Sequence, residues 1–356
     1  MSQPSESRGP ILRPRRGYHH LRAWTALGWV LGVPVVLGLL IGVSLPLVQR
    51  MRATASAAPA APVPAPIDGG RAYGYLKRIC ALGPRPAGSA ANDRQRALVA
   101  GHFRAAGGEV REQPFAGVDP LDGRPVKMAN LIGSWFPDRT ERILLAAHYD
   151  TRPFPDRDPD PVKRRGPFLG ANDGASGVAV LMEIANHLAA SPTPCGVDLV
   201  LLDGEELVYE GAGADDMDFY FLGSKHFGRA YAADRRAGRS PSRYVAGILL
   251  DMVGDKNLVI DQEVNSLRLQ RKLVQEVWTV ANRLKERVFR AQVGPEVHDD
   301  HLPLNDAGIP TIDLIDFDYP AWHTAADRPE ACSAASLASV GRVVTAWLNL
   351  PRPARR

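Results

Sequence analysis

Cysteine is scarce in this sequence: 356 residues hold three, Cys80, Cys195 and Cys332. None falls in a CxxC pair, which excludes a cysteine-built zinc site, and a sparse odd set does not read as a disulfide framework. One bridge with a leftover thiol and three buried thiols are both compatible with it. A strong charge of one sign is also missing. The formal net charge is +4, but residues 1–52 carry seven Arg against a single acid, Glu6, which leaves −2 on the remainder. The basic character therefore belongs to the N-terminal tail, and the mildly acidic body excludes nucleic acid as a partner. Internal repeats are absent. What is present is ordinary globular composition, 45% hydrophobic and 23% charged, enough for a large core.

Charge disappears altogether between Ala23 and Val48. A run of that length suits a bilayer-spanning helix, which needs about 20 apolar residues. A cleaved signal peptide has an apolar stretch of only about 7–15 residues, although the small residues at 53–60 leave cleavage as the alternative. Arg13, Arg15, Arg16 and Arg22 crowd the N-terminal flank, so the positive-inside bias puts the tail in the cytoplasm. The organisation expected is a basic cytoplasmic tail at 1–22 and a single-pass transmembrane signal anchor at 23–48. An Ala/Pro linker at 49–67 and a catalytic domain at 68–352 on the extracytoplasmic side follow. The linker residues ATASAAPAAPVPAPI (53–67) cannot build a core and extend away from the membrane.

Beyond Asp68, helical and β patterns alternate. Helices are expected at Arg71–Ala81, Asn92–Ala106, Ser176–Ala190, Asn265–Glu286 and Leu337–Leu348. Strands are expected at Glu109–Phe115, Ala129–Trp135, Arg142–Ala147, Asp198–Leu202, Val245–Leu250 and Thr311–Ile315. Short apolar strands between helices imply an α/β fold: a doubly wound, mostly parallel central sheet with helices on both faces. In such sheets ligands bind beyond the carboxyl ends of the strands.

Metal-capable side chains collect at those ends. One strand runs into His148-Tyr149-Asp150, and a loop then carries Asp173 within GANDG. The next runs into Asp203-Gly204-Glu205-Glu206, a third ends at Asp251, and the last is followed by Trp322-His323-Thr324. Singly, each is an ordinary turn, helix start or hydrogen-bonded histidine. Together, His148, Asp173, Glu206, Asp251 and His323 form a carboxylate and imidazole set that suits zinc. An adjacent carboxylate that is not a ligand supplies general acid/base chemistry.

HYD (148–150), GANDGASG (170–177), DGEE (203–206), LLDMVG (249–254) and WHT (322–324) resemble the zinc aminopeptidase family that includes the animal-type glutaminyl cyclases. The loop from 148 to 177 resembles the bacterial cyclases in particular. The resemblance runs from about Ala72 to Leu350 and implies the same doubly wound fold. Position by position it implies Asp173, Glu206 and His323 as ligands of one catalytic zinc and Glu205 as the acid/base. Asp251 matches either a second-metal ligand or a hydrogen-bonding carboxylate, and His148 matches a second-metal ligand, so a second zinc is compatible with the sequence. HDDHLPL (298–304) resembles a cyclase stretch whose first acid, here Asp299, joins a network with the glutamate. Trp322 resembles the aromatic wall of the cyclase pocket, with Tyr319 near a second aromatic position. Where animal cyclases carry a pocket Trp, this sequence reads LVYEGAGADDMDFYF (207–221), offering Tyr209, Phe219 or Tyr220. The expected activity is zinc-dependent cyclisation of N-terminal glutamine on peptides and proteins. A two-zinc metallo-aminopeptidase is the second reading and a non-catalytic, receptor-like ectodomain the third.

Overall fold

The computed structural model describes residues 66–190, 193–209, 211, 213 and 216–352. The tail, the anchor expected at 23–48 and nearly all of the linker lie outside them. Among the described residues no helix is long and apolar enough to cross a membrane. In chain order the helices and strands are α1 (Gly69–Cys80), α2 (Ala90–Ala105), β1 (Glu109–Val118), β2 (Pro125–Trp135), β3 (Glu141–His148) and α3 (Ser176–Leu188). There follow β4 (Gly196–Leu202), α4 (Leu222–Arg236), β5 (Arg243–Asp251), β6 (Ile260–Gln262), α5 (Val264–Leu284), β7 (Phe289–Val293), α6 (His301–Asp306), β8 (Thr311–Ile315) and α7 (Ala334–Leu348).

Strands such as RILLAA and DLVLL are apolar at every position, so both of their faces must be covered. Their side chains divide accordingly. Ile143, Leu145 and Ala147 of β3 point into a large core with α1, α2, α3, α5 and α7. Leu144 and Ala146 point the other way, into a smaller core with Phe227 of α4 and Leu304 of α6. The six-stranded sheet has the order β1-β2-β4-β3-β5-β8. β4, β3, β5 and β8 run parallel, whereas β1 and β2 form an antiparallel hairpin and β2 pairs antiparallel with β4. The expected mostly parallel sheet thus holds for its four central and far-edge strands, and the hairpin makes the whole mixed. From β3 the chain steps to β4 on one side and later to β5 on the other. β3 is therefore the switch point, where α/β sheets hold their ligands.

The helix and strand bounds fall within a few residues of the sequence pattern, with side-chain caps at Asp68, Ser89, Glu263 and Ser333. Three elements carry no clear pattern: α4, α6 and the small β6–β7 sheet. α4 buries Gly223, Ser224, Phe227 and Gly228, so small residues, not an apolar stripe, form its contact face. A Cβ at Gly223 would lie 2.6 Å from the Asp203 backbone, and only glycine permits that approach. Cys80, Cys195 and Cys332 are all free and buried, which makes them three buried thiols.

At the amino end of the sheet, Arg142 is buried against Asp198, with Nε–Oδ2 and Nη2–Oδ1 distances of 2.7 and 2.6 Å. Asp198 also accepts from Ser134 Oγ and Tyr244 Oη. Arg142→Ala leaves that carboxylate buried without its cation, a change that costs about 3–5 kcal/mol. Thermal unfolding should show a midpoint lower by about 10 °C; a shift under 2 °C contradicts this account.

Candidate active site

The parallel strands deliver their terminal residues to one edge, and the loops beyond them complete a buried cluster. His323 Nε2 lies 2.6 Å from Glu206 Oε1 and 3.5 Å from Asp173 Oδ2. His148 Nε2 lies 3.1 Å from Asp251 Oδ1 and 3.3 Å from Asp173 Oδ1. Two triads result, Asp173/Glu206/His323 and His148/Asp173/Asp251, each with its ligand atoms within 4.8 Å of one another. Asp173 belongs to both and turns one carboxylate oxygen toward each.

The backbone is shaped for this. Gly174 has φ +91°, and a Cβ there would meet the Asp150 carbonyl at 2.4 Å. His323 itself has φ +54°, in the left-handed region that few non-glycine residues adopt and that surrounding structure must hold. Part of that structure is the amide of Arg157, which donates to the His323 carbonyl at 3.1 Å.

Three supporting residues had no role in the sequence reading. Asp150 accepts from the Glu205 and Glu206 amides, both at 3.1 Å, and so fixes the acidic pair by its backbone. Asp327 accepts from the Asn172 and Asp173 amides at 2.8 and 3.1 Å. Arg152, almost wholly buried, gives Nε to Asp156 at 2.9 Å and holds Nη1 3.5 Å from Glu206 Oε1. Asp150 and Asp327 stand two and four residues after a ligand histidine, and that proximity was the only signal available.

The electrostatics of the cluster follow from its burial. Burial, then the adjacent Glu206 charge, push both Asp173 and Glu205 well above the usual carboxylate range. Asp299 is raised by burial and then by Asp251 and Asp300. Burial resists ionisation of Glu206 too, but His323 and Arg152 bring it down to about 2. Burial opposes a charged His148, yet hydrogen bonds to Asp150, Asp173 and Asp251 outweigh it and raise its pKa well above the ordinary value. At His323 burial prevails and lowers the pKa, which favours the neutral, ligating imidazole. So many enclosed carboxylates do not all ionise unaided, and a cluster of this charge is of the kind a divalent cation would compensate. The donor set fits one: Asp173 Oδ2 and Glu206 Oε2, on the carboxylates that meet the His148 and His323 rings, are buried without a hydrogen-bond partner.

The remaining expected residues are placed as follows. Glu205 flanks the cluster, its Oε2 3.8 Å from His148 Nδ1, with its side chain 13% exposed. Asp299 is buried with Oδ2 unpartnered. Trp322 is partly buried, its ring centroid 4.1 Å from that of His323 and 4.9 Å from that of Phe317. Tyr319, expected in the pocket wall, is packed among Met252, Val297, Ile315 and Ala321, a cluster against which Trp322 also packs. Its hydroxyl donates to Asp327 at 2.8 Å, so it braces the loop that carries Asp173. In the 207–221 segment, Tyr209 is buried edge-on against Phe154 with centroids 5.6 Å apart.

A mixed α/β sheet with two carboxylate–imidazole triads at its carboxyl edge defines the class: an aminopeptidase-like fold with a centre suited to a divalent metal. The chain belongs to peptidase family M28, whose model matches residues 130–348. It is 27% identical over 304 residues to the glutaminyl-peptide cyclotransferase-like protein of Mus musculus, spanning 79% of this chain and 76% of the other. The structure of Fimbriiglobus ruber glutaminyl cyclase matches with a TM-score of 0.78 at 37% identity, covering 83% of this chain and 100% of that one. A Zn-dependent exopeptidase of Parabacteroides distasonis matches with a TM-score of 0.75 at 31% identity, covering 81% and 100% respectively.

Proposed function

We propose that this chain is a glutaminyl-peptide cyclotransferase that converts N-terminal glutamine of peptides and proteins to pyroglutamate with release of ammonia. One observation carries the reading: the acid/base Glu205 and the Asp173/Glu206/His323 triad are intact and assembled in a chain that spans the full length of a glutaminyl cyclase at 37% identity. Zinc is the proposed cofactor, held by Asp173, Glu206 and His323; the carboxylate–imidazole set supports it.

When bound, zinc supplies a Lewis acid for the γ-carbonyl of the substrate glutamine. Glu205, the acid/base, accepts a proton from the α-amine as that nitrogen bonds to the γ-carbonyl carbon. It then gives a proton to the side-chain amide nitrogen, which departs as ammonia when its bond to carbon breaks. Burial holds the Glu205 carboxyl above the usual carboxylate range, which suits a group that must both take and return a proton. Asp251, beside His148, and the buried Asp299 add negative charge around Glu205 and the centre. Trp322 offers an aromatic wall against which the folded-back glutaminyl chain packs. The nucleophile is part of the substrate, so its effective concentration is high and water is not required.

A two-metal aminopeptidase is the second reading, and the second triad of His148, Asp173 and Asp251 favours it. In a receptor-like, non-catalytic domain, loss of a ligand or of Glu205 is expected, and all are present. Turnover of Gln-β-naphthylamide and of Leu-p-nitroanilide, with zinc counted on the same sample, separates the three. The expected result is pyroglutamate with about one zinc per chain, lost on chelation and regained on refilling. Amide hydrolysis with two zincs, or no turnover by folded protein, rejects it.

The anchor at 23–48, the domain division at 49–67 and the extracytoplasmic, membrane-attached location belong to the same proposal, and the charge-free run with its basic flank supports them. Full-length protein should pellet with membranes and resist carbonate extraction; recovery in the soluble fraction rejects the retained anchor.

A further inference from the structure

The cluster is acidic, but two guanidinium groups stand beside it. Arg157 is exposed and lies over the Trp322 ring, its Cζ 4.2 Å from the centroid. Its backbone N–H donates to the His323 carbonyl, so its side chain starts beside a proposed metal ligand. Arg165, on the same loop as Arg157, lies over Phe154 and over Tyr209 of the segment that follows Glu206, at 5.1 and 5.8 Å. Among the described residues neither guanidinium is within ion-pair distance of a carboxylate.

Three acids of the same loop are engaged elsewhere. Asp156 takes Arg152 Nε, Asp158 accepts from the Ala325 and Asp160 amides, and Asp160 accepts from the Val162 amide with Lys163 Nζ at 3.7 Å. A guanidinium stacked on an aromatic ring keeps its in-plane N–H donors free, and these match a carboxylate in a two-pronged fashion. The stacking also pre-orders the side chain, so less freedom is lost on pairing.

Arg157 is exposed and packs on the residue next to His323, so a substrate chain that leaves the centre along the Trp322 side meets it. With the glutaminyl residue at Glu205 and the Asp173/Glu206/His323 triad, the following residues advance by about 3.3–3.6 Å each when extended. The second or third residue then reaches Arg157 beside Trp322. We infer that Arg157, assisted by Arg165, selects substrates with Asp or Glu as the first or second residue after an N-terminal glutamine. This rests on the cyclotransferase reading and narrows it to a substrate class.

The test compares kcat/KM for the tetrapeptide amides Gln-Glu-Ala-Phe, Gln-Ala-Ala-Phe and Gln-Lys-Ala-Phe, and the matching set with the charge at position three, on the metal-loaded enzyme. Acidic peptides should exceed lysyl peptides by about three- to tenfold in low salt, and the ratio should fall toward one at 0.5 M salt, where the screening length is roughly 4–5 Å. Arg157→Glu should invert the order, Arg157→Lys should keep it in weakened form, and Arg165→Ala should shrink it. Equal rates for all charges in the wild type overturn the inference while leaving the cyclotransferase reading in place. So does a loss in Arg157→Glu that is common to every peptide, because Arg157 would then only pack Trp322. Pyroglutamate from none of the peptides removes the reading and the inference together.

Discussion

Glu205→Gln is expected to lower pyroglutamate formation by about a thousandfold or more with bound zinc unchanged. The substitution keeps shape and removes only the ability to exchange a proton, and a positioned acid/base contributes roughly 10²–10⁴-fold. Both proton movements pass through this carboxylate, so the loss belongs at the upper end. Its placement does not depend on its own charge, because Asp150 grips the backbone amides of residues 205 and 206. The three proposed ligands are untouched. Single-turnover rates with zinc analysis on the same sample check this, and turnover within tenfold of wild type would refute the role of Glu205.

The second large effect is at His323. His323→Ala removes one of three proposed ligands, and since altering groups behind a ligand already costs about 10–100-fold in metal affinity, removing a ligand should cost more. Turnover is expected to fall to background. Added zinc should restore chelated wild type but not the variant at the same concentration. Recovery of both at equal zinc would show that His323 does not hold the ion. The substitution also takes a ring away from Trp322 and from Phe168, whose centroids lie 4.1 and 6.3 Å from that of His323, so spectra should confirm that the variant is folded.

Much of the site was legible because one rule connects sequence to space here. Parallel strands point their carboxyl ends to one edge, so His148, Glu205, Glu206 and Asp251 had to meet once the strands were recognised. His323 and Asp173, which lie on loops, were legible through the motifs around them. The supports were not. Asp150 and Asp327 act through backbone amides of distant residues, and no property of a loop aspartate declares which amides it will reach. Tyr319 shows the same limit: nothing in its position near Trp322 in sequence declares that its hydroxyl reaches Asp327. In the fold, α4 was missed because a helix seated on glycine and serine has no apolar stripe, and the β1–β2 hairpin leaves the outer sheet antiparallel.

Asp327 joins pieces that are remote in sequence: it grips the amides at 172 and 173 while the Tyr319 hydroxyl, four residues before His323, rests on the same carboxylate. One ligand loop cannot swing away without releasing the other, so small independent fluctuations of the two are suppressed. Local openings of lower free energy than global unfolding are the usual route by which buried ions leave. Closing that route makes escape of a bound ion a matter of rate as well as affinity, with residence time governed by cooperative opening of the sheet edge.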